Sequence, residues 1–342
     1  MAVGLSSASQ LHVEGGPLDN LEVETVREMR QEALQRFLNT ELSPQQRLEH
    51  VQMIGSVSNK DFESLLRIAS DPNEEDEIRL VAVKRHPLTR RLIDLELSIL
   101  GDAKNGGSQL NANLISDLAL RTRPTIDAET RQRIQAGIKT LLNDSRDTVR
   151  LNAFRALVPS NEPTALQLLE NGLGNPDVAP VSTTEALALL DRAGSVNHLD
   201  VIRPFLNSED PEVLRLAVQA LAVDPVSRPK IVLLLQDQNT PEPIRVASLR
   251  RLSRADDDFV SYALELFENE DESTEIRRQV TRAIIGRMNY QSVSADDQVR
   301  FAQAVERLSP DIAPSVLEGS SPDQFIEHLR LTFPAIKEYL DQ

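Results

Sequence analysis

The sequence predicts an all-α chain in which antiparallel helix pairs stack into a right-handed α-solenoid. Three observations predict it. Branched apolar residues recur with a period of 31–32, the apolar complement is aliphatic with only 4% aromatics and no tryptophan, and helix-start signals fall between the recurring residues.

The period comes first. Val149, Val181, Val213, Ile244 and Ile276 are separated by 32, 32, 31 and 32 residues. Eight residues after each stands Leu157, Leu189, Leu221, Leu252 or Ile284, and seven after stands Ala156, Ala188, Ala220, Arg251 or Ala283. Four after stands Ala153, Glu185, Ala217, Ser248 or Val280, the least regular column. Positions i, i+4, i+7 and i+8 share one stripe of an α-helix, so each unit carries a core-facing helix with small residues for close packing.

A second helix is expected in each unit, around residues 162–172, 196–206, 227–236, 257–268 and 295–307. Side chains able to satisfy orphan amides mark the helix starts: Asp210 before Pro211, Thr240 before Pro241, and Ser294 before Asp297. Proline in a first turn sacrifices no hydrogen bond, so Pro211 and Pro241 are compatible with helix there.

The segments DSRDTVRLNAFRAL at 144–157, SEDPEVLRLAVQAL at 208–221 and NTPEPIRVASLRRL at 239–252 share one pattern. Each has an acidic or proline turn, a branched apolar residue, a nearby arginine, and small residues before leucine. This resembles the short HEAT-like repeats of bacterial proteins, a group that includes the phycobilin lyases of the E/F type. Two features depart from it: the period is shorter than in longer HEAT repeats, and VSTTEALALLDR at 181–192 has its only arginine at the end of the segment. The resemblance implies a HEAT-like superhelix that works as a non-catalytic scaffold or adaptor. It also implies two alternatives, a chaperone-like lyase subunit attaching a tetrapyrrole to a protein, or a nucleic-acid-binding HEAT-like protein.

The flanks are less regular. Residues 1–18 are expected to be disordered, 19–143 to form irregular helical repeats, 144–290 the regular repeats, and 291–342 capping helices. Helices are expected at 20–39, 44–55, 60–70, 110–121 and 127–142, with capping boxes at Ser43/Gln46 and Ser58/Asp61 and a flexible loop at 101–109, while the segment at 75–88 begins like a repeat helix, with Ile78, Arg79 and Ala82, and stops at Pro87. Ser321-Pro322 opens a last helix whose Phe325, Leu329, Leu331 and Phe333 cap the final apolar face.

Composition narrows the chemistry. With no cysteine, disulfides, thiolate nucleophiles and cysteine-ligated metals are excluded. The histidines, His12, His50, His86, His198 and His328, form no His-Glu pair and no i, i+4 pair. That spacing offers no zinc-hydrolase motif, and it also lacks the ligands of the iron-dependent hydroxylase built on HEAT repeats. No catalytic, cofactor or metal site is expected. Residues 1–20 have no basic-then-apolar leader, no apolar run is long enough to span a bilayer, and the expected location is cytoplasmic. The formal net charge of −16 repels phosphate backbones and anionic membranes and favours a protein partner with a basic patch.

Charged features remain. Arg79, Arg150, Arg215, Arg245 and Arg277 stand near repeat-helix starts. Pairing with Asp147, Asp210, Glu242 and Glu275 would make them a register-fixing ladder; the other reading has them grip an acidic ligand. Two basic clusters, Lys84-Arg85-His86 with Arg90-Arg91 and Arg250-Arg251 with Arg254, could bind anions. The run from Asp256 to Glu275, with nine acids and no base, reads as a solvated face. The candidate partner-binding residues are Arg215, Gln219, Arg250 and Arg278, on a concave surface expected to be lined by the second helices.

Overall fold

The computed structural model describes residues 17–49, 51–54, 57, 59–102, 107–121, 126–194, 198–290, 293–309 and 312–341. Among the described residues every regular element is helical. The chain divides into two compact units, Met1–Ala156 and Leu157–Gln342. The stretch to Gly16, His12, His50, Ser58 and residues 103–106 of the expected loop lie outside the described residues.

The first unit contains α1 (Pro17–Leu38), α2 (Pro44–Leu48), α3 (Asn59–Ser70), α4 (Asp76–Arg85), α5 (Arg90–Gly101), α6 (Ser108–Leu120), α7 (Ala128–Thr140) and most of α8 (Asp147–Leu157). α1 packs on α2, α3 on α4 and α5 on α6, and two rows run across these pairs, α1–α3–α5–α7 and α2–α4–α6. The box at α2 forms as expected: Ser43 Oγ accepts the Gln46 N–H at 3.3 Å and Gln46 Oε1 accepts the Ser43 N–H at 3.0 Å. α5 is a helix that periodicity missed. Thr89 caps it through the Leu92 N–H at 3.2 Å, and it buries Leu92, Ile93, Ile99 and Leu100, but Glu96 interrupts its apolar stripe.

The second unit contains α9 (Pro163–Gly174), α10 (Thr183–Ala193), α11 (Leu199–Ile202), α12 (Pro211–Leu221), α13 (Arg228–Gln236), α14 (Glu242–Ala255), α15 (Phe259–Glu268), α16 (Thr274–Tyr290), α17 (Ala295–Glu306), α18 (Ala313–Val316), α19 (Pro322–Thr332) and α20 (Pro334–Leu340). α9 pairs with α10, α11 with α12, α13 with α14 and α15 with α16. The first helices of the units, α10, α12, α14 and α16, lie side by side in one row. Their stripe is the core: Val213, Ile244 and Ile276 are buried, as are Ala217, Ser248, Val280, Leu221, Leu252 and Ile284. The Ser248 hydroxyl is satisfied inside that stripe by donating to the Ile244 carbonyl at 3.0 Å.

Several local expectations are corrected. Val181 lies before its helix, because Ser182 is the N-cap; Glu185 closes the capping box at 3.2 Å, which explains the acid in the small-residue column. Thr240 does not cap α14: Pro241 occupies the cap position and Pro243 lies in the first turn. The expected helix at 196–206 is α11 followed by a 3-10 segment, Arg203–Asn207, whose Pro204 cannot donate to an α-helical ladder. Leu331 is 78% exposed, whereas Phe325, Leu329 and Phe333 are buried.

One turn recurs in both units. Asn39, Asp71, Asp144, Asn175, Asp237 and Asn269 each accept, through Oδ1, the N–H two residues on, at 2.8–3.1 Å. Such side-chain turns mimic a backbone turn and stop one helix before the next begins.

Arginines then staple the turns. Nε of Arg47, Arg79 and Arg245 donates to the carbonyl ten residues back, of Phe37, Ala69 and Leu235, at 2.9, 3.0 and 2.7 Å. Arg277 donates to Asn269 at 3.1 Å. The carbonyls of Phe37, Ala69 and Leu235 belong to helix ends, where the helix itself supplies no donor, whereas that of Asn269 also accepts the Glu272 N–H at 3.1 Å. The expected acid partners are largely different. Arg150 does pair with Asp147, but Arg245 pairs with Glu272, Arg215 with Glu212, and Glu275 with Arg278. Asp210 instead caps α12, and Glu242 accepts from Ser273 Oγ.

Candidate functional site

A groove of about 370 Å³ lies between α14 and α16, lined by Arg250, Arg254, Arg282 and Arg287 together with Gln279 and Gly286. It forms because two turns of α14 present Arg250 and Arg254 at i, i+4 on one face, and α16 presents Arg282 and Arg287 opposite. Leu249 and Ala283 give it an apolar base.

The guanidinium groups are engaged to different degrees. Arg287 is structural: its Nε donates to the Ser253 carbonyl at 2.9 Å, and its guanidinium lies 5.6 Å from the Phe259 ring centroid. Arg282 pairs with Glu318 at 2.6 Å, both side chains being about half exposed. Exposed pairs of that kind contribute about 0–1 kcal/mol and exchange readily. Glu318 also holds a left-handed backbone, with φ of 55°. Arg250 donates through Nε to Gln279 Oε1 at 3.3 Å, and Gln279 in turn donates to Glu275 at 2.8 Å. Arg254 is exposed on α14.

A larger cleft of about 650 Å³ lies between α15 and α17, with Arg277, Arg307, Glu268 and Glu270 among its lining residues. Glu268 there is held below the usual carboxylate range by its hydrogen bond from Arg300, which is 2.6 Å away, with Arg307 adding to the effect. That cleft is close to charge-balanced, and the α14–α16 groove is not.

Of the residues singled out from sequence, Arg250 lines the groove, and Arg278 directly precedes the groove residue Gln279 while pairing with Glu275. Arg215 sits on α12, bonded to Glu212 at 2.8 and 2.5 Å, and Gln219 is half-buried one turn further along. The basic cluster of the first unit is dispersed: Arg85 donates to the carbonyls of Ile54 and Val51, Arg91 pairs with Glu63, and His86 is buried against Phe62. In the other cluster Arg251 turns away from the groove to Asp191 on α10, at 2.5 Å. Of the nine acids in the run, Asp257, Asp258, Glu265, Glu270 and Asp271 are exposed, as expected of a solvated face, while Glu268, Glu272 and Glu275 pair with arginines and buried Asp256 accepts from Tyr262 Oη at 3.0 Å.

Sequence reading missed Arg282, Gln279 and Gly286. A register signal for them exists: Gln219, Arg250 and Arg282 each stand six residues after the anchors Val213, Ile244 and Ile276.

No protein-family model and no curated protein matches this chain. Among solved structures, human deoxyhypusine hydroxylase in complex with glycerol is similar over 66% of this chain and 95% of that one, at 13% identity and a TM-score of 0.27. A likeness at that level passes neither fold nor activity to this chain. Among the described residues no helix is long and apolar enough to cross a membrane.

Proposed function

We propose that this protein is a binding module, a solenoid of HEAT-like helix pairs that holds a protein partner on the solvent face of α12, α14 and α16. The observation behind this reading is the register of that face. Gln219, Arg250 and Arg282 form one column, and Arg215, Val246 and Arg278 form another two residues after the anchors. One period therefore sets both the buried stripe and a polar, cationic outer stripe, as expected of an array that presents an extended surface.

Arg215, Gln219, Arg250 and Arg278 all stand on α12, α14 and α16, so this reading puts the binding face on the row of first helices and not on the second helices.

The test is comparative capture from the source organism, using the wild type and an R215A/R250A/R278A variant of matched circular dichroism. A discrete protein enriched by the wild type and lost with the variant supports the reading. Capture that is indifferent to these positions overturns it.

A further inference from the structure

Resting on that reading, we infer that the α14–α16 groove recognises an acidic, extended peptide segment of the partner, with carboxylates on Arg250, Arg254 and Arg282 and the peptide backbone over Gly286. The first support is the glycine. Gly286 lies inside the 17-residue helix α16, where glycine disfavours helix relative to alanine. Two other helical glycines have packing reasons: a Cβ at Gly137 would collide with the Leu97 side chain, and one at Gly172 would lie 2.9 Å from Ala179 Cα. A Cβ at Gly286 would meet nothing within 4 Å, so packing within the protein does not require the glycine. What the missing side chain leaves is a notch in the groove floor, where another backbone can come close.

Charge is the second, independent support. Arg250 and Arg254 repel one another along α14, Arg282 and Arg287 face them, and within a chain of net charge −16 the one carboxylate bonded to these arginines among the described residues is the half-exposed Glu318. Guanidinium groups match carboxylates in a two-pronged geometry, and here they are spread along two helices, α14 and α16. Spread cations suit several carboxylates on one chain better than a single small anion. Among the described residues the groove has no aromatic lining on which bases could stack, so a nucleic acid fits less well.

The full chain is titrated with a short fluorescein-labelled peptide alternating Glu with Ala, read by anisotropy at about 20 mM and about 300 mM salt. A single-stranded DNA of equal charge is the comparison. Wild type is expected to bind the peptide at low salt and to prefer it to the DNA; R250E/R254E should weaken peptide binding about ten-fold or more. The discriminating variant is Gly286→Ala, expected to raise the melting temperature by about 2–4 °C while weakening the peptide about five-fold. Absence of peptide binding, peptide binding unchanged by either substitution, or equal binding of the DNA would overturn the inference. Failure here with a partner still captured through Arg215, Arg250 and Arg278 would reject the acidic-peptide chemistry alone; failure of that capture would reject the binding-module reading itself.

Discussion

Arg245 and Glu272 meet 27 residues apart as a buried fork, with Nη1 2.8 Å from Oε1 and a second bond from Nη2 to Oε2. Arg47 and Glu74 repeat the relationship in the first unit at the same separation, with Nη1 2.5 Å from Oε2. Each arginine bonds the end of the helix before it and the acid in the turn inside the next helix pair, so one side chain sets the spacing of successive helix pairs.

The consequence for stability is asymmetric. Glu272→Ala leaves the Arg245 guanidinium buried without its counter-ion and should destabilise the second unit by about 3–5 kcal/mol, whereas an R245M/E272L double substitution should recover most of that loss. Urea unfolding measures both. A cost below about 1 kcal/mol for Glu272→Ala would mean that the pair behaves as an exposed one.

Glu96 makes the stability of the first unit fall as pH rises from acid to neutral. Burial pushes its carboxyl up to about 8, and the neighbouring Asp117 carboxylate adds to the rise while Arg121 opposes it. A raised acid is held protonated in the fold, so its stabilisation is complete below the ordinary value of 4.5 and is lost as pH climbs through about 8. Wild-type melting temperature should fall across that window more steeply than that of Glu96→Gln, whose amide does not titrate. Parallel curves would contradict this.

Asp224 has the opposite sign. Arg203 donates to it at 2.8 and 3.1 Å, Ser227 Oγ at 2.5 Å and the Val226 N–H at 3.2 Å. The Arg203 bond leads in drawing its carboxyl down to about 2, so its contribution is present above the ordinary 3.8 and is lost as pH falls toward 2. Asp224→Ala, which leaves these donors unmet, should cost about 1–3 kcal/mol at neutral pH. The gap to wild type should narrow in acid; thermal melts at pH 7 and pH 3 test it.

Much of this architecture is legible in sequence, because a solenoid-like pattern repeats its core positions. The anchors Val213, Ile244 and Ile276 and, eight residues on, Leu221, Leu252 and Ile284 all prove buried. Where the pattern is silent, a single residue is often responsible. Glu96 in the middle of the α5 stripe hides a helix, and Glu185 enters the small-residue column only because it closes a capping box. Tandem prolines at 241 and 243 moved a helix start by one residue. The groove was hidden differently. A net charge of −16 averages away four arginines that fall together only when α14 and α16 lie side by side, and nothing local distinguishes Gly286 from a glycine that packing requires.

The absence of cysteine makes the most direct test simple, since one introduced thiol is unique. Ser253→Cys places it in the groove, and Leu233→Cys, at a position 65% exposed on α13, serves as the reference. With the captured partner or the acidic peptide bound, labelling at 253 should slow while labelling at 233 is unchanged. Protection at 233 with free reaction at 253 would place the binding surface on the opposite row and contradict the account.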